Sequence, residues 1–178
     1  MSGASGAVYG KEIFDRLVAA RVETHLVITA TAQVILKDEM DIPPGYFNRA
    51  GVTVHDNGRY DVPIASGSFL TAGMVVAPCS MGCLARIASG VSTDLLERAA
   101  DVHLKERRPL ILVPRETPLS DIHLENMLRI SRAGGTILPA MPAFTHRPKT
   151  IEELAAFIAG RVFDHLKLPQ DFTPRYTG

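Results

Sequence analysis

The sequence predicts a single α/β domain in which a doubly wound parallel sheet is flanked by helices. Its 178 residues suit one domain with a substantial core. Short apolar segments typical of buried strands alternate with longer segments of helical periodicity. This alternation indicates βαβ units, in which each crossover helix returns the chain to the same edge of the sheet.

Four predicted strands are brief, rich in Val, Ile and Leu, and continuous rather than alternating. Strands buried on both faces of a parallel sheet have this pattern. They are residues 25–29, 74–78, 109–114 and 136–140. A further strand is indicated at Val52–His55, within a Pro- and Gly-rich excursion that covers residues 41–70.

Five predicted helices lie between and after these strands. They are residues 6–22, 30–40, 93–106, 121–133 and 150–166. In the first, Ile13 and Leu17 belong to one apolar stripe. Thr150 followed by Glu153 predicts a capping box at the start of the last helix. Residues 167–178 are expected to form a C-terminal tail.

The composition disfavours several classes of function. The formal net charge is zero, with 19 basic and 19 acidic side chains, so neither general nucleic-acid binding nor attachment to an anionic membrane is indicated. No apolar run approaches the ~20 residues that span a bilayer. Cys79 and Cys83, four residues apart, match neither a disulfide framework nor a zinc knuckle. We therefore expect a reducing, cytoplasmic setting and two small core residues.

The start of the chain is unusual for this fold class. In a doubly wound fold the first glycine-rich loop follows a strand. Here glycines occur at positions 3, 6 and 10, directly after Met1. We expect that a few residues precede the recorded start, so that residues 1–178 form one domain whose first strand is truncated.

Candidate ligand-binding residues follow the predicted strands, because ligands of open α/β sheets bind beyond the carboxyl ends. Thr29, Ser80, Arg115 and Glu116 all occupy such positions. The glycine spacing differs from the G-x-G-x-x-G of dinucleotide folds, and Thr29 stands where an NAD site has an acid. These features favour a mononucleotide such as FMN. A helix cap is an equally good interpretation of Thr29.

A second group of candidates is basic. Five basic side chains and two acidic ones lie between residues 98 and 115. Arg98 and Lys105 are seven residues apart and therefore share a helix face. This excess of positive charge suits a phosphate, although a solvated helix face has the same pattern. Glu39 and Glu116 are candidates for acid–base chemistry, with exposed carboxylates as the alternative.

Eight segments together resemble the UbiX-type flavin prenyltransferases over essentially the whole chain. They are residues 2–6 (SGASG), 65–68 (ASGS), 77–80 (APCS), 97–102 (ERAADV), 104–109 (LKERRP), 112–116 (LVPRE), 122–127 (IHLENM) and 138–140 (LPA). The run from residue 97 to residue 127 is the most specific of them.

The resemblance implies a Rossmann-like or flavodoxin-like fold, bound FMN and a homododecamer. It implies a transferase that joins a dimethylallyl group from dimethylallyl monophosphate to N5 and C6 of reduced FMN, without a metal. Prenylated FMN then serves a UbiD-type decarboxylase. The resemblance thus gives a purpose to the basic residues that their spacing alone does not.

The resemblance also implies roles for individual residues. The FMN-binding positions are Gly3, Ala4, Ser5, Thr29, Ser80 and Arg115. The prenyl phosphate positions are Tyr60, Ser66, Gly67, Arg98, Lys105, Thr145 and Arg161. The catalytic positions are Ser5, Glu39, Lys105 and Glu116. Thr145 departs from the family, in which many members have Tyr, and Tyr176 is a candidate to compensate.

Two other functions remain open on the sequence. One is an FMN-dependent decarboxylase of the phosphopantothenoylcysteine or peptidyl-cysteine class, which shares the fold. Those enzymes have an Asn in the segment that corresponds to residues 78–83 (PCSMGC), where this chain has none. The other is a flavin carrier subunit without catalysis, in which Glu39, Lys105 and Glu116 have no task.

Overall fold

A computed structural model describes residues 1–43 and 45–173 and confirms the α/β fold, with parallel strands flanked by helices. The described helices are α1 (Ala7–Ala19), α2 (Ala30–Met40), α3 (Met81–Ala88), α4 (Leu95–Lys105), α5 (Asp121–Arg132) and α6 (Ile151–His165). The described strands are β1 (Thr24–Val27), β2 (Val52–His55), β3 (Met74–Cys79), β4 (Leu110–Pro114) and β5 (Thr136–Ile137). A single 3-10 turn at Pro63–Ala65 precedes β3.

The five described strands are all parallel, but they form two sheets rather than the one that the sequence predicts. β1 pairs with β2, and β3, β4 and β5 pair in that order. The two sheets are linked by Met1 and Ser2. The amino group of Met1 donates to the carbonyl oxygen of Val27 (2.6 Å), and the N–H of Ser2 donates to that of Pro78 (3.1 Å).

Helices cover both faces of the three-stranded sheet. α3, α4 and α5 pack on one face, and α1 and α6 pack on the other. β4 is buried along its whole length. Leu110 and Leu112 pack in the core on the side of α3, α4 and α5, and Ile111 and Val113 pack in the core on the side of α1 and α6. Burial on both faces is the reason that the strand is continuously apolar, as the sequence indicated.

The structure confirms the five predicted strands and the five predicted helices, with shifts at their ends. The sequence missed α3 (Met81–Ala88), whose N-cap is Ser80. Its signal was an N-cap serine followed by Met81, Leu84 and Ile87, three residues apart. Gly82 and the short length of eight residues concealed it.

Five helices begin with an N-cap side chain that accepts a backbone N–H: Thr29, Ser80, Asp94, Ser120 and Thr150. The capping box predicted for α6 forms only in part. Thr150 accepts the N–H of Glu153 (3.2 Å), but the Glu153 carboxylate accepts the N–H of Lys149 (2.6 Å) instead of that of Thr150. α1 begins differently, at Gly6, and its N-terminus is capped from another helix as described below.

Within residues 1–43 and 45–173, none of the helices combines the length and the apolar character that crossing a membrane requires.

Candidate functional site

Ser2 fixes the glycine-rich loop to the carboxyl end of β3. Its hydroxyl donates to the carbonyl oxygen of Pro78 (3.1 Å) and accepts the N–H of Ser80 (2.8 Å). Only 3% of Ser2 is exposed. These bonds place the loop beside the residue that begins α3.

Two glycines in this loop are required by its geometry. Gly6 has φ +94°, in the left-handed region that side chains disfavour. A Cβ on Gly3 would lie 2.5 Å from Cγ2 of Thr31, at the start of α2. The loop therefore passes close to α2 and turns sharply into α1.

Glu39, from the last turn of α2, caps the N-terminus of α1. Its carboxylate accepts the N–H of Gly6 (3.0 Å) and that of Ala7 (2.8 Å). Burial of the carboxylate by itself raises its pKa, but hydrogen bonds from Ser5, Ala7 and Gly6 outweigh burial, and the charge of Arg115 adds to them. The pKa of the Glu39 carboxyl is therefore lowered from its ordinary value.

Arg115 closes the loop from the other side. It follows β4, and its Nε donates to the carbonyl oxygen of Ser5 (2.9 Å). Tyr9 lies in the same corner, because a Cβ on Gly6 would meet Cδ2 of Tyr9 at 3.0 Å and Cγ of Arg115 at 3.5 Å. Burial raises the pKa of the Tyr9 phenol, and the Arg115 charge opposes the rise. The sequence analysis missed Tyr9, whose signal was its place in the first turn after the loop.

We call the carboxyl edge of the strands beside this loop the glycine rim, and under this name we group residues 3–6, Thr29, Glu39, Ser80, Arg115 and Glu116. The Thr29 and Ser80 hydroxyls accept the N–H groups of Ala32 (3.2 Å) and Cys83 (3.3 Å), so both side chains act as helix caps. Each hydroxyl proton is still a donor for a ligand. Glu116 is exposed and accepts the N–H of Thr117 (3.0 Å).

The basic residues of α4 surround a second segment, the loop that contains Ser66 and Gly67. Nε of Arg98 donates to the carbonyl oxygen of Ala65 (3.1 Å), and its Nη1 donates to Asp101 (2.8 Å). Lys105 forms an ion pair with Glu106. A Cβ on Gly67 would lie 2.8 Å from Nζ of Lys105, so the Lys105 ammonium group lies close to the backbone of this loop.

Arg108 belongs to the basic run that the sequence analysis counted, but the sequence assigned it no task of its own. Its guanidinium donates to the carbonyl oxygens of Phe69 (2.7 Å) and Gly67. Its signal was a place in the basic run just before β4. The basic run therefore serves partly to hold a loop. The sequence analysis considered only a phosphate site and a solvated helix face for it.

Within one chain, the structure does not bring all the predicted site residues together. α4 ends at Lys105 on the amino-terminal edge of the sheet, beside the segment that precedes β3, whereas the glycine rim lies on the carboxyl edge. Arg161 is on α6, in the opposite helical layer from α4, and pairs with Asp164 (2.9 Å).

The remaining predicted positions lie on the surface. Tyr60 is exposed, and its hydroxyl donates to the carbonyl oxygen of Ser92 (3.4 Å). Thr145 is exposed, and Tyr176 lies outside the described residues. Cys79 and Cys83 are free thiols buried in the core, as the sequence indicated. In the described part of the chain, no group of three or more His, Cys, Asp or Glu side chains is arranged to hold a metal.

The Flavoprotein family matches residues 1–163. The flavin prenyltransferase UbiX of Methanothermobacter thermautotrophicus is 51% identical over 178 residues, covering 100% of this chain and 93% of that protein.

Two solved structures match over the full chain. One is a crystal structure of AnUbiX in complex with FMN and dimethylallyl pyrophosphate, with a TM-score of 0.96, 46% identity, and coverage of 100% of this chain and 95% of that chain. The other is a dodecameric FMN-dependent UbiX-like decarboxylase from Escherichia coli O157:H7, with a TM-score of 0.93, 40% identity, and coverage of 100% of both chains.

The contact between Glu39 and α1 gives a pH-dependent prediction. Glu39→Gln should lower the free energy of unfolding at pH 7 by about 1 kcal/mol, because it removes a negative charge from the positive end of a helix. The folded-state pKa is lowered, so this contribution is complete above the ordinary carboxyl pKa and is lost as pH falls through the lowered value. Urea unfolding at several pH values from 7 to 3 measures the difference.

The matched control is Glu125→Gln, on the exposed face of α5, which should change the free energy of unfolding little at any pH. A difference between the wild type and Glu39→Gln that persists undiminished at pH 3 would contradict the capping role.

Proposed function

This chain belongs to the UbiX-type flavin prenyltransferases, and we propose that it catalyses prenyl transfer to reduced FMN at the glycine rim, with dimethylallyl monophosphate as donor. It is a transferase that prenylates FMN. The finer proposal is that new bonds form at N5 and C6 of the flavin, which gives the prenylated cofactor a fourth ring. One observation carries the assignment to the rim: Arg115, Ser5 and Glu39 meet at the start of α1.

The chemistry of the rim fits FMN. Gly3 and Ala4 let a ligand approach the backbone closely, and the hydroxyls of Ser5, Thr29 and Ser80 are donors at the same edge. α1, α2 and α3 all begin at this edge, so three partially positive helix ends suit a phosphate. FMN, when bound, supplies a reduced ring system whose N5 and C6 are the nucleophilic positions.

The other predicted residues have tasks that follow from charge. A phosphate leaving an allylic carbon develops negative charge, which Arg98, Lys105 and Arg161 are suited to stabilise. Glu116 is suited to exchange a proton with a phosphate oxygen, and Glu39 with the flavin nitrogen. Ser5, between Glu39 and Arg115, orients the ring. Tyr60 offers an aromatic face to a cationic prenyl group.

These tasks require residues from more than one chain. Lys105 lies on the opposite edge of the sheet from the glycine rim, and Arg161 lies in the opposite helical layer from Arg98 and Lys105. We therefore propose that the prenyl phosphate is bound where subunits meet, in a homododecamer. The dodecameric state of the UbiX-like protein from Escherichia coli supports this proposal.

The product serves a UbiD-type decarboxylase. The setting is the cytoplasm, which the two free thiols favour. Ser66 and Gly67 shape the donor site. Thr145 stands there in place of a longer Tyr side chain, so we expect this difference to affect most the preference for one or two phosphates on the donor.

The first prediction of this proposal concerns the product. Anaerobic incubation with reduced FMN and dimethylallyl monophosphate should yield flavin that has gained one prenyl group, detected by mass spectrometry of the released flavin. Parallel incubation with dimethylallyl pyrophosphate tests the choice of donor. Unchanged flavin with both donors, while FMN still binds, would instead indicate a carrier subunit.

A second prediction concerns Glu116. Glu116→Gln keeps the size of the side chain but removes its acid–base function, so prenyl transfer or ring closure should slow by about 100-fold or more. FMN affinity should be unchanged. Stopped-flow absorbance of the flavin measures the two steps, and wild-type rates in both steps would refute the role.

A third prediction separates the two interpretations of Thr29, as an FMN-binding residue and as a helix cap alone. Thr29→Ala and Thr150→Ala each remove an N-cap and should each lower the free energy of unfolding by about 1 kcal/mol. Only Thr29→Ala should also weaken FMN binding, by about tenfold for one lost hydrogen bond. Equal FMN affinity in the two variants would leave Thr29 as a cap alone.

A further inference from the structure

A tight turn follows β2 at residues 56–59 and points one side chain toward the protein. The N–H of Gly58 donates to Oδ1 of Asp56 (2.8 Å), and the N–H of Arg59 donates to the Asp56 carbonyl oxygen (3.2 Å). Asn57 and Gly58 are therefore the two central residues of the turn. Asn57 is half-buried, whereas the other residues of the turn are exposed.

Asn57 and Asp94 together accept the first three N–H groups of α4, which have no partner within the helix. The N–H of Leu95 donates to the carbonyl oxygen of Asn57 (2.9 Å), and that of Leu96 donates to its side-chain oxygen (3.0 Å). Asp94 accepts the N–H of Glu97 (2.9 Å) and, on its other carboxylate oxygen, Nδ2 of Asn57 (2.9 Å). A residue from the turn after β2 thus completes the cap of this helix.

The chain that leaves Asn57 returns to the same helix at Ala65. Nε of Arg98 donates to the Ala65 carbonyl oxygen (3.1 Å). Residues 57–65, called here the Tyr60 segment, are therefore attached to the start of α4 at both ends. Tyr60 lies between the two attachments, and its hydroxyl donates to the carbonyl oxygen of Ser92 (3.4 Å), just before the helix.

The start of α4 is itself held by the core. Leu95 and Leu96 are buried in the cluster beneath α3 and α4. Glu97 is 1% exposed, accepts the N–H (2.9 Å) and the hydroxyl (2.7 Å) of Thr93, and pairs with Arg86 of α3. The first turn of α4 is therefore a firm support, and the contacts of Asn57 set where the Tyr60 segment lies on it.

We propose that Asn57 is a positioning residue of the prenyl donor site, where it holds the ring of Tyr60 at a fixed place relative to the guanidinium of Arg98. This role rests on the proposed function, in which Arg98 receives the phosphate and Tyr60 faces the prenyl group. A cation is attracted to an aromatic face only within about 6 Å of its centre, and a guanidinium binds phosphate by direct hydrogen bonds. The separation of the two side chains therefore decides whether one donor reaches both.

Asn57→Asp tests this role, because it keeps the size of the side chain but replaces the amide donor by a carboxylate that faces Asp94. In the assembled protein it should lower kcat/KM for dimethylallyl monophosphate by about tenfold, as for one lost hydrogen bond, with FMN affinity unchanged. The exchanged pair, Asn57→Asp with Asp94→Asn, again places one amide against one carboxylate. It should return kcat/KM to within about threefold of the wild-type value.

Two controls separate this role from general effects. Asn48→Asp makes the same chemical change at an exposed position outside the Tyr60 segment. Thr150→Ala removes the N-cap of α6 and so matches the loss of a helix cap. Both controls should keep the wild-type kcat/KM for the donor.

A second measurement reports the position of Tyr60 without catalysis. In protein labelled with fluorotyrosine, the fluorine NMR signal of Tyr60 is assigned from its loss in Tyr60→Phe. Asn57→Asp should shift or broaden this signal, and the exchanged pair should restore it.

An unchanged fluorine signal or a wild-type kcat/KM in Asn57→Asp would overturn the proposal. A fall in kcat/KM that the exchanged pair leaves uncorrected, or that Thr150→Ala reproduces, would overturn it as well. A wild-type protein that transfers no prenyl group would refute the proposed function instead, and the fluorine signal would then decide by itself whether Asn57 positions Tyr60.

Discussion

The hydrogen bonds of Met1 and Ser2 are the contacts on which the rest of the structure depends. They bond to β1 through Val27 and Thr29 and to β3 through Pro78 and Ser80. The described strands make two separate ladders, so these two residues are the backbone link in the plane of the sheets. Because the glycine-rich loop starts at this link, the position of the rim is set by the same bonds that hold the halves together.

The electrostatics of the rim follow from the parallel arrangement of the strands. Each crossover helix begins at the carboxyl edge, so α1, α2 and α3 direct their positive ends to one place. Thr29 and Ser80 are the N-cap residues of α2 and α3 and each accept a backbone N–H there. Glu39, on the neighbouring helix α2, accepts the N–H of Ala7 at the start of α1. The capping residues of the fold are thus also the polar groups of the glycine rim.

The course of β4 explains why a run of basic residues does not form one site in one chain. Lys105 and Arg115 are ten residues apart in sequence, but β4 lies between them and runs from one edge of the sheet to the other, about 16 Å over five residues. Arg115 therefore reaches the rim, and Lys105 and Arg108 hold the loop around Gly67 at the far edge. The proposed assembly of several chains brings such separated charges together.

The sequence by itself determined the class of fold, the described strands and all described helices except α3, because the period and continuity of apolar residues report burial on one or two faces. It also predicted that Thr29, Ser80 and Arg115 lie at one edge, since positions after parallel strands share one edge. Tertiary structure decided what periodicity does not encode: that Glu39 caps α1 across a helix pair, that Arg115 bonds to Ser5, and that Arg108 holds the loop around Gly67. These contacts join residues that are distant in sequence. Their distances depend on how the layers pack, which a one-dimensional pattern leaves undetermined.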